Sequence, residues 1–224
     1  MKPVTKNINP IYMKKVELIL GAISLISFIL YFFFIQGSQI TFLLSMLFLA
    51  CLYFYLSFFF LNNLRLKDLI QKDAFKGLSS MRIVGTILMG IALSIIVIGI
   101  IFKLQGWPGA MAYFVIGLSG VLIALVVGGV RYVQTKNSYY LPIFKRIALW
   151  GVLGGVFLFI PHTYWIELKY SDYPAYVEAY KAAYQDHGNE ELQDKVDEEW
   201  NKIHGEDATD FPTEQNTNDT TGMD

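Results

Sequence analysis

Charge, cysteine and histidine are all scarce in this sequence. Only 17% of its 224 residues are charged, where soluble domains carry about 25%, while 54% are hydrophobic and 16% aromatic. The single cysteine, Cys51, excludes a disulfide framework within the chain and a metal cluster built on thiolates. It sits in an apolar run and is expected to be a small, inert, buried side chain. The three histidines, His162, His187 and His204, show no metal-ligand spacing and no Ser/His/Asp or Cys/His arrangement. No catalytic residue, metal site, cofactor or nucleic-acid partner is expected, and the chain does not read as an enzyme.

Acids are scarcest up to Ile166, where only Glu17, Asp68 and Asp73 accompany fourteen Lys and Arg, a balance of +11. From Glu167 onward four lysines meet sixteen acids, a balance of −12. The net charge of −1 hides two segments of opposite sign. Such a split points to a membrane body followed by an acidic tail.

What is abundant is long apolar runs. Five stretches, 16–36, 40–61, 83–102, 110–130 and 147–166, are each long enough to cross a hydrocarbon layer of about 30 Å at about 1.5 Å per helical residue. They must be helices, because lipid offers nothing to satisfy backbone N–H and C=O groups. The first run follows Lys2, Lys6, Lys14 and Lys15 like a signal peptide, but it is too long and lacks a small-residue cleavage site, so it reads as an uncleaved anchor. The amino-terminal arm (1–15) and the connections 62–82 and 131–146 carry thirteen Lys and Arg; the alternate connections carry only Lys103. Because positive charge stays cytoplasmic, the amino end is expected inside and the carboxyl tail outside. Within 62–82, Leu66, Leu69 and Ile70 recur at helical spacing among lysines. That connection reads equally as an amphipathic helix on the inner leaflet or as a solvated basic loop.

Between the third and fourth runs stands FKLQGWPGA, residues 102–110. Lys103 can snorkel to the interface, and Trp107 is the amphipathic ring expected at headgroup depth. Pro108 presets φ for the second position of a turn, and Gly109 supplies the positive φ that the third position of a type II turn needs. Residues 107–110 are therefore expected to reverse the chain, with Lys103, Gln105, Trp107, Pro108 and Gly109 forming an outer-face turn open to a partner.

The phenylalanine-lysine, the short polar step and the Trp-Pro-Gly-Ala of this stretch, followed by Ile116-Gly117-Leu118, resemble the hairpin of the inner-membrane L subunit of the gliding-motility and type IX secretion motor of Bacteroidota. The family's turn commonly reads FKxxHWPGA; here Gly106 stands at the histidine. The likeness covers about residues 99–130, and the three further runs and the tail have no counterpart in that two-helix subunit. It implies a shared hairpin and a bacterial cell-envelope setting. The family's intramembrane glutamate, implicated in proton-driven rotation, aligns with Val121. Valine cannot exchange a proton, so the motor activity is not carried over.

No run has a charge near its middle. Glu17 lies in the first turn of the first run, near Lys14 and Lys15, and an interfacial ion pair with them is the simple expectation. The polar centres are hydroxyls, Ser24, Ser27, Ser45, Ser57, Thr86, Ser94 and Ser119, which commonly bond back to their own helix or bridge helices. Gly117, Gly120, Ala124 and Gly128 form a smooth strip along the fourth run, and Gly151 and Gly155 make a Gly-x-x-x-Gly in the fifth. Small residues let backbones approach, either inside this bundle or against a partner's helix.

In the tail, Asp172 before Pro174 reads as a helix start. Tyr173, Tyr176, Tyr180 and Tyr184 then fall on one face. A second helix follows, with Leu192, Val196, Trp200 and Ile203 on one side, acid-first pairs Glu191/Lys195 and Glu198/Lys202, and Gly205 as its stop. These two faces can pack together or present Tyr173, Tyr176, Tyr180, Tyr184 and Trp200 to a partner. Beyond residue 205 the composition is too polar to order itself.

The expectation is thus an all-α polytopic protein of the bacterial inner membrane: a cytoplasmic arm (1–15), a five-helix membrane domain (16–166), an acidic helical periplasmic tail (167–205) and a disordered end (206–224). Its partners are expected to be the lipid bilayer and other membrane or periplasmic proteins; no oligomeric state is assigned. A non-enzymatic interaction subunit is the leading function. A small neutral-solute transporter would need a continuous polar cavity, and a membrane-embedded enzyme would need convergent His, Asp or Glu at the outer face.

Overall fold

A computed structural model describes residues 10–62, 79–186 and 188–205. The described residues are all-α, with five long helices, α1 (Pro10–Phe32), α2 (Ser38–Leu61), α3 (Ser80–Gln105), α4 (Ala110–Thr135) and α5 (Tyr140–Phe159), then α6 (His162–Lys169), α7 (Pro174–Gln185) and α8 (Glu190–His204). The first five are long and apolar enough to cross a membrane. Most of the 62–82 connection, residues 63–78, lies outside the described residues, as do the amino-terminal nine residues, His187 and the chain beyond 205.

Two compact units are present, Met1–His162 and Thr163–Asp224. In the first, α3 is central, packing against α2, α4 and α5, while α1 rests on α2 and α4 touches α5. Leu93, Ile96, Val97 and Phe114 are sealed within this contact zone. The outward faces remain apolar: Leu18, Leu25, Phe48, Leu122, Ile123 and Val126 are all exposed. Apolar surface on this scale is foreign to a water-soluble monomer and is what lipid covers; the protein is an integral membrane protein.

Several helix ends depart from the apolar runs, because caps set where a helix ends while hydropathy records only composition. α1 starts six residues before 16 and stops at Phe32 rather than 36; Phe34 (φ 54°) and Gly37 (φ 80°) turn the chain. α3 starts at Ser80 behind Ser79, whose hydroxyl accepts from the Arg82 N–H. α4 runs on to Thr135. The largest shift is in α5, expected over 147–166 and found at Tyr140–Phe159. Lys145 and Arg146 interrupted the apolar run but not the helix. At the far end Pro161 forces Ile160 into an extended conformation (φ −77°, ψ 122°), as the residue before proline prefers, and α6 starts beyond it.

Cys51 also differs from expectation. It is exposed on the outward face of α2, within a membrane span, so lipid rather than protein surrounds the thiol.

In the second unit α7 packs on α8, around a core of Ile166, Tyr170, Tyr176, Val177, Ala183 and Val196. Pro174 opens α7 as expected, and the cap is Tyr173, one residue after Asp172 and without a side-chain bond. Gly205 (φ 79°) ends α8. Lys195 bonds Glu191 at 2.9 Å, and Lys202 bonds Glu198 at 2.9 Å.

Candidate functional site

The α3–α4 hairpin is built by two left-handed glycines. Gly106 (φ 72°) ends α3, and its N–H and that of Trp107 both reach the Phe102 carbonyl, Trp107 at 2.9 Å. This is a Schellman-type cap, and the contact that accompanies it is an aromatic one. Trp107 stands edge-on to Phe102 at 5.1 Å, and Phe102 meets Tyr113 of α4 at 4.7 Å. Gly109 (φ 89°, ψ −4°) then caps α4, in the geometry expected of the third position of a type II turn. The left-handed conformation at 106 gives glycine a physical reason to stand there.

The turn is held from both sides. Gln39, at the start of α2, donates to the Gln105 side chain at 3.1 Å. His162 Nδ1 donates to the Lys103 carbonyl at 2.7 Å, satisfying one of the acceptors a helix end leaves open. Burial pushes the His162 imidazole below its ordinary pKa, and the nearby Lys103 charge adds to this while the carbonyl bond opposes it. The neutral, Nδ1-protonated ring is thereby favoured. Nothing in the sequence marked His162 out, because its partner is a backbone oxygen. With these supports in place, Trp107, Pro108 and Gly109 remain exposed and Lys103 and Gln105 half-buried.

The small residues divide by neighbour. A Cβ on Gly117 would stand 2.6 Å from Ile96 Cγ1 and 3.1 Å from its backbone N, and one on Gly120 would stand 2.8 Å from the Ala92 Cβ, so both face α3. Gly128 faces Phe144 of α5, Ala124 is half-buried, Gly151 has ordinary contact with Val121, and Gly155 has nothing within 4 Å. The tight approach in α5 is at Gly154, 2.9 Å from Ile96 Cγ2, and that between α2 and α3 is at Gly90, 2.5 Å from the Tyr53 carbonyl. Neither was singled out by spacing.

At the opposite end of the bundle the start of α1, the end of α2 and the start of α5 come together. Trp150 Nε1 donates to Tyr53 Oη at 2.7 Å, and Tyr53 Oη donates to Glu17 Oε1 at 2.7 Å. Arg146 Nε donates to the same carboxylate oxygen at 2.7 Å, and its Nη2 closes the fork on Oε2. Both charged side chains are largely buried, 13% and 16% exposed. The partner that fixes Glu17 is therefore Arg146, from the far end of the sequence, rather than the neighbouring lysines alone. The sequence did hold a signal: Glu17 is the only acid before residue 68. As expected, hydroxyls bridge or bond back: Ser24 bonds both the Leu20 carbonyl and Ser45 Oγ at 2.8 Å, and Thr86 accepts from Asn62 at 3.1 Å.

In the tail, packing claims the middle of the tyrosine face. Tyr176 is buried and lies 5.7 Å from Trp200 and 4.7 Å from Tyr170, with Tyr180 half-buried beside them. Tyr173 and Tyr184, at the two ends, are exposed. Lys169, over the Tyr170 ring at 5.1 Å, is pushed down by burial to about 8.

Where the end of α1, the start of α2 and the end of α3 adjoin, a cavity lined by Phe28, Tyr31, Gln39, Phe42, Leu104 and Gln105 has a volume of about 10 Å³, room for about one water. Among the described residues no three His, Cys, Asp or Glu side chains converge as a metal site would require. No protein-family model, curated protein or solved structure matches the chain.

Proposed function

We propose that this protein is a non-enzymatic component of a bacterial inner membrane that docks other envelope proteins through the turn at 103–109 and the helical tail. Its amino end lies in the cytoplasm and its tail in the periplasm, as the distribution of Lys and Arg favours. The observation that carries the reading is Trp107, 42% exposed on a turn fixed by two left-handed glycines and bonded from α2 and His162. A large ring on a preorganised loop loses little entropy when it docks, and tryptophan is the side chain most enriched at binding hot spots. The resemblance to the gliding-motility and secretion hairpin supports the same assignment, with the turn rather than a proton-carrying helix as the shared feature. In the tail, Tyr173 and Tyr184 are the rings open to a partner, since Tyr176 is held inside.

Crosslinking in native membranes followed by pull-down tests this, comparing wild type with Trp107→Ala and with a chain truncated after Ser171. A hot-spot ring contributes about 2 kcal/mol or more, so Trp107→Ala is expected to reduce capture of a specific partner roughly thirtyfold. If both variants retain every wild-type partner, the docking function is wrong.

A further inference from the structure

Where α3 starts and α4 stops, cations gather with no carboxylate among the described residues to answer them. Arg82, Arg131, Lys136 and Lys145 form no ion pair with any described residue, and Glu17, the only acid described in this unit, is held by Arg146. Arg82 lies over the Tyr139 ring, 3.6 Å from its centroid, with Nε on Asn62 Oδ1 at 2.7 Å. Arg131 reaches across from α4 to α3, where its Nη2 meets the Met81 sulfur at 3.1 Å. A thioether is a weak acceptor, and a guanidinium resting on one has most of its donors available. Lys136, over Tyr132 at 5.9 Å, extends the positive patch.

The surface below this patch is apolar. Met81, Val84 and Leu88 recur at i, i+3 and i+7 on α3, and Val127 lies one turn before Arg131 on α4; all four are exposed. The two helix faces that meet at Met81 and Arg131 therefore continue toward the middle of the membrane as open hydrocarbon surface. A cationic head above an apolar track is complementary to an anionic amphiphile.

We propose that this patch binds an anionic phospholipid. The Arg131 fork holds the phosphate diester, a pairing guanidinium groups make with two parallel bonds. Arg82 and Lys136 supply further positive charge, and the acyl chains lie along Met81, Val84, Leu88 and Val127. The site is a property of the bundle end and holds whichever side of the membrane that end faces.

Native mass spectrometry of the full-length protein tests this, after release from nanodiscs of phosphatidylcholine mixed with phosphatidylglycerol. Wild type is expected to retain phosphatidylglycerol in preference to phosphatidylcholine. Arg131→Gln should lower that retention about tenfold, the scale of one charge-assisted bond. Because Arg131 is exposed, the variant should keep its fold; Lys136→Gln, with a smaller loss, serves as a second variant. Lys14→Gln/Lys15→Gln removes charge from the same end of the bundle and should change retention little, and excess glycerol phosphate should not displace the lipid. Equal retention of the two lipids by wild type, an unchanged Arg131→Gln, equal losses in Arg131→Gln and the lysine pair, or displacement by glycerol phosphate would each overturn the proposal.

Discussion

Glu17 and Arg146 stand 129 residues apart and share two hydrogen bonds. A charge pair this buried between helices is stabilising only as a pair, since each ion alone retains the cost of leaving water. Glu17→Leu leaves a buried guanidinium opposite a hydrocarbon side chain and is expected to cost about 3–5 kcal/mol. The double change Glu17→Leu/Arg146→Met removes both charges and should recover most of that loss. Unfolding of the four proteins in the same micelle, as a double-mutant cycle, measures this; a double variant no more stable than Glu17→Leu would show that the pair does not act as a unit. The pairing was only half legible. An isolated acid at the mouth of an apolar run is conspicuous in a sequence, but no rule of spacing selects one partner among fourteen cations. That choice is made by the up-down order of α1, α2 and α5.

Among elements, the glycines show where pattern stops being informative. Gly117 and Gly155 both belong to small-residue repeats, yet one meets a neighbouring backbone and the other open space. Gly117→Ala would place its methyl 2.6 Å from Ile96 Cγ1 and 3.2 Å from the Ala92 carbonyl oxygen, and backbone atoms cannot swing aside. The expected cost is about 1–3 kcal/mol, as for other overpacked sites. Gly155→Ala should be neutral or slightly stabilising, since the added methyl meets nothing and alanine favours the helix. Thermal unfolding of both variants in one detergent checks the contrast, and equal losses would mean that α3 and α4 do not approach as closely as described. A spacing of three or four fixes which face a residue occupies, not which helix lies opposite it. For the same reason Gly90 and Gly154, at two of the closest approaches, went unmarked. Composition likewise located α5 but misplaced it by seven residues at each end, because charged residues inside a helix and a proline after it are visible only as interruptions.

For the whole molecule, the number of crossings decides more than any one residue. In the proposed topology each of the five apolar helices of the membrane unit crosses once, an odd number that sets the amino end and the tail on opposite sides. The assignment of sides proposed above rests on charge: thirteen Lys and Arg fall in the amino-terminal arm and the connections 62–82 and 131–146, against Lys103 alone in the alternate connections. Moving a basic segment across the membrane during insertion is unfavourable, and short basic loops are retained. The loop at 103–109 is the decisive one. It is too short to carry a domain, and the bundle end where Gln39, Gln105 and His162 meet holds little charge to retain it. A phosphatase fused after residue 205, active only outside the cytoplasm, is therefore expected to be active, and a cytosolic reporter at the same place silent. Reversing the bias, with lysines added to the 103–109 turn and Arg131, Lys136 and Lys145 changed to glutamine, should produce a mixed population in which both reporters give signal. A fusion active only in the cytosol in the unmodified chain would invert the orientation, moving the Trp107 turn and the tail to the cytoplasmic side and removing the periplasmic docking role while leaving the packing of α1 to α5 as it is.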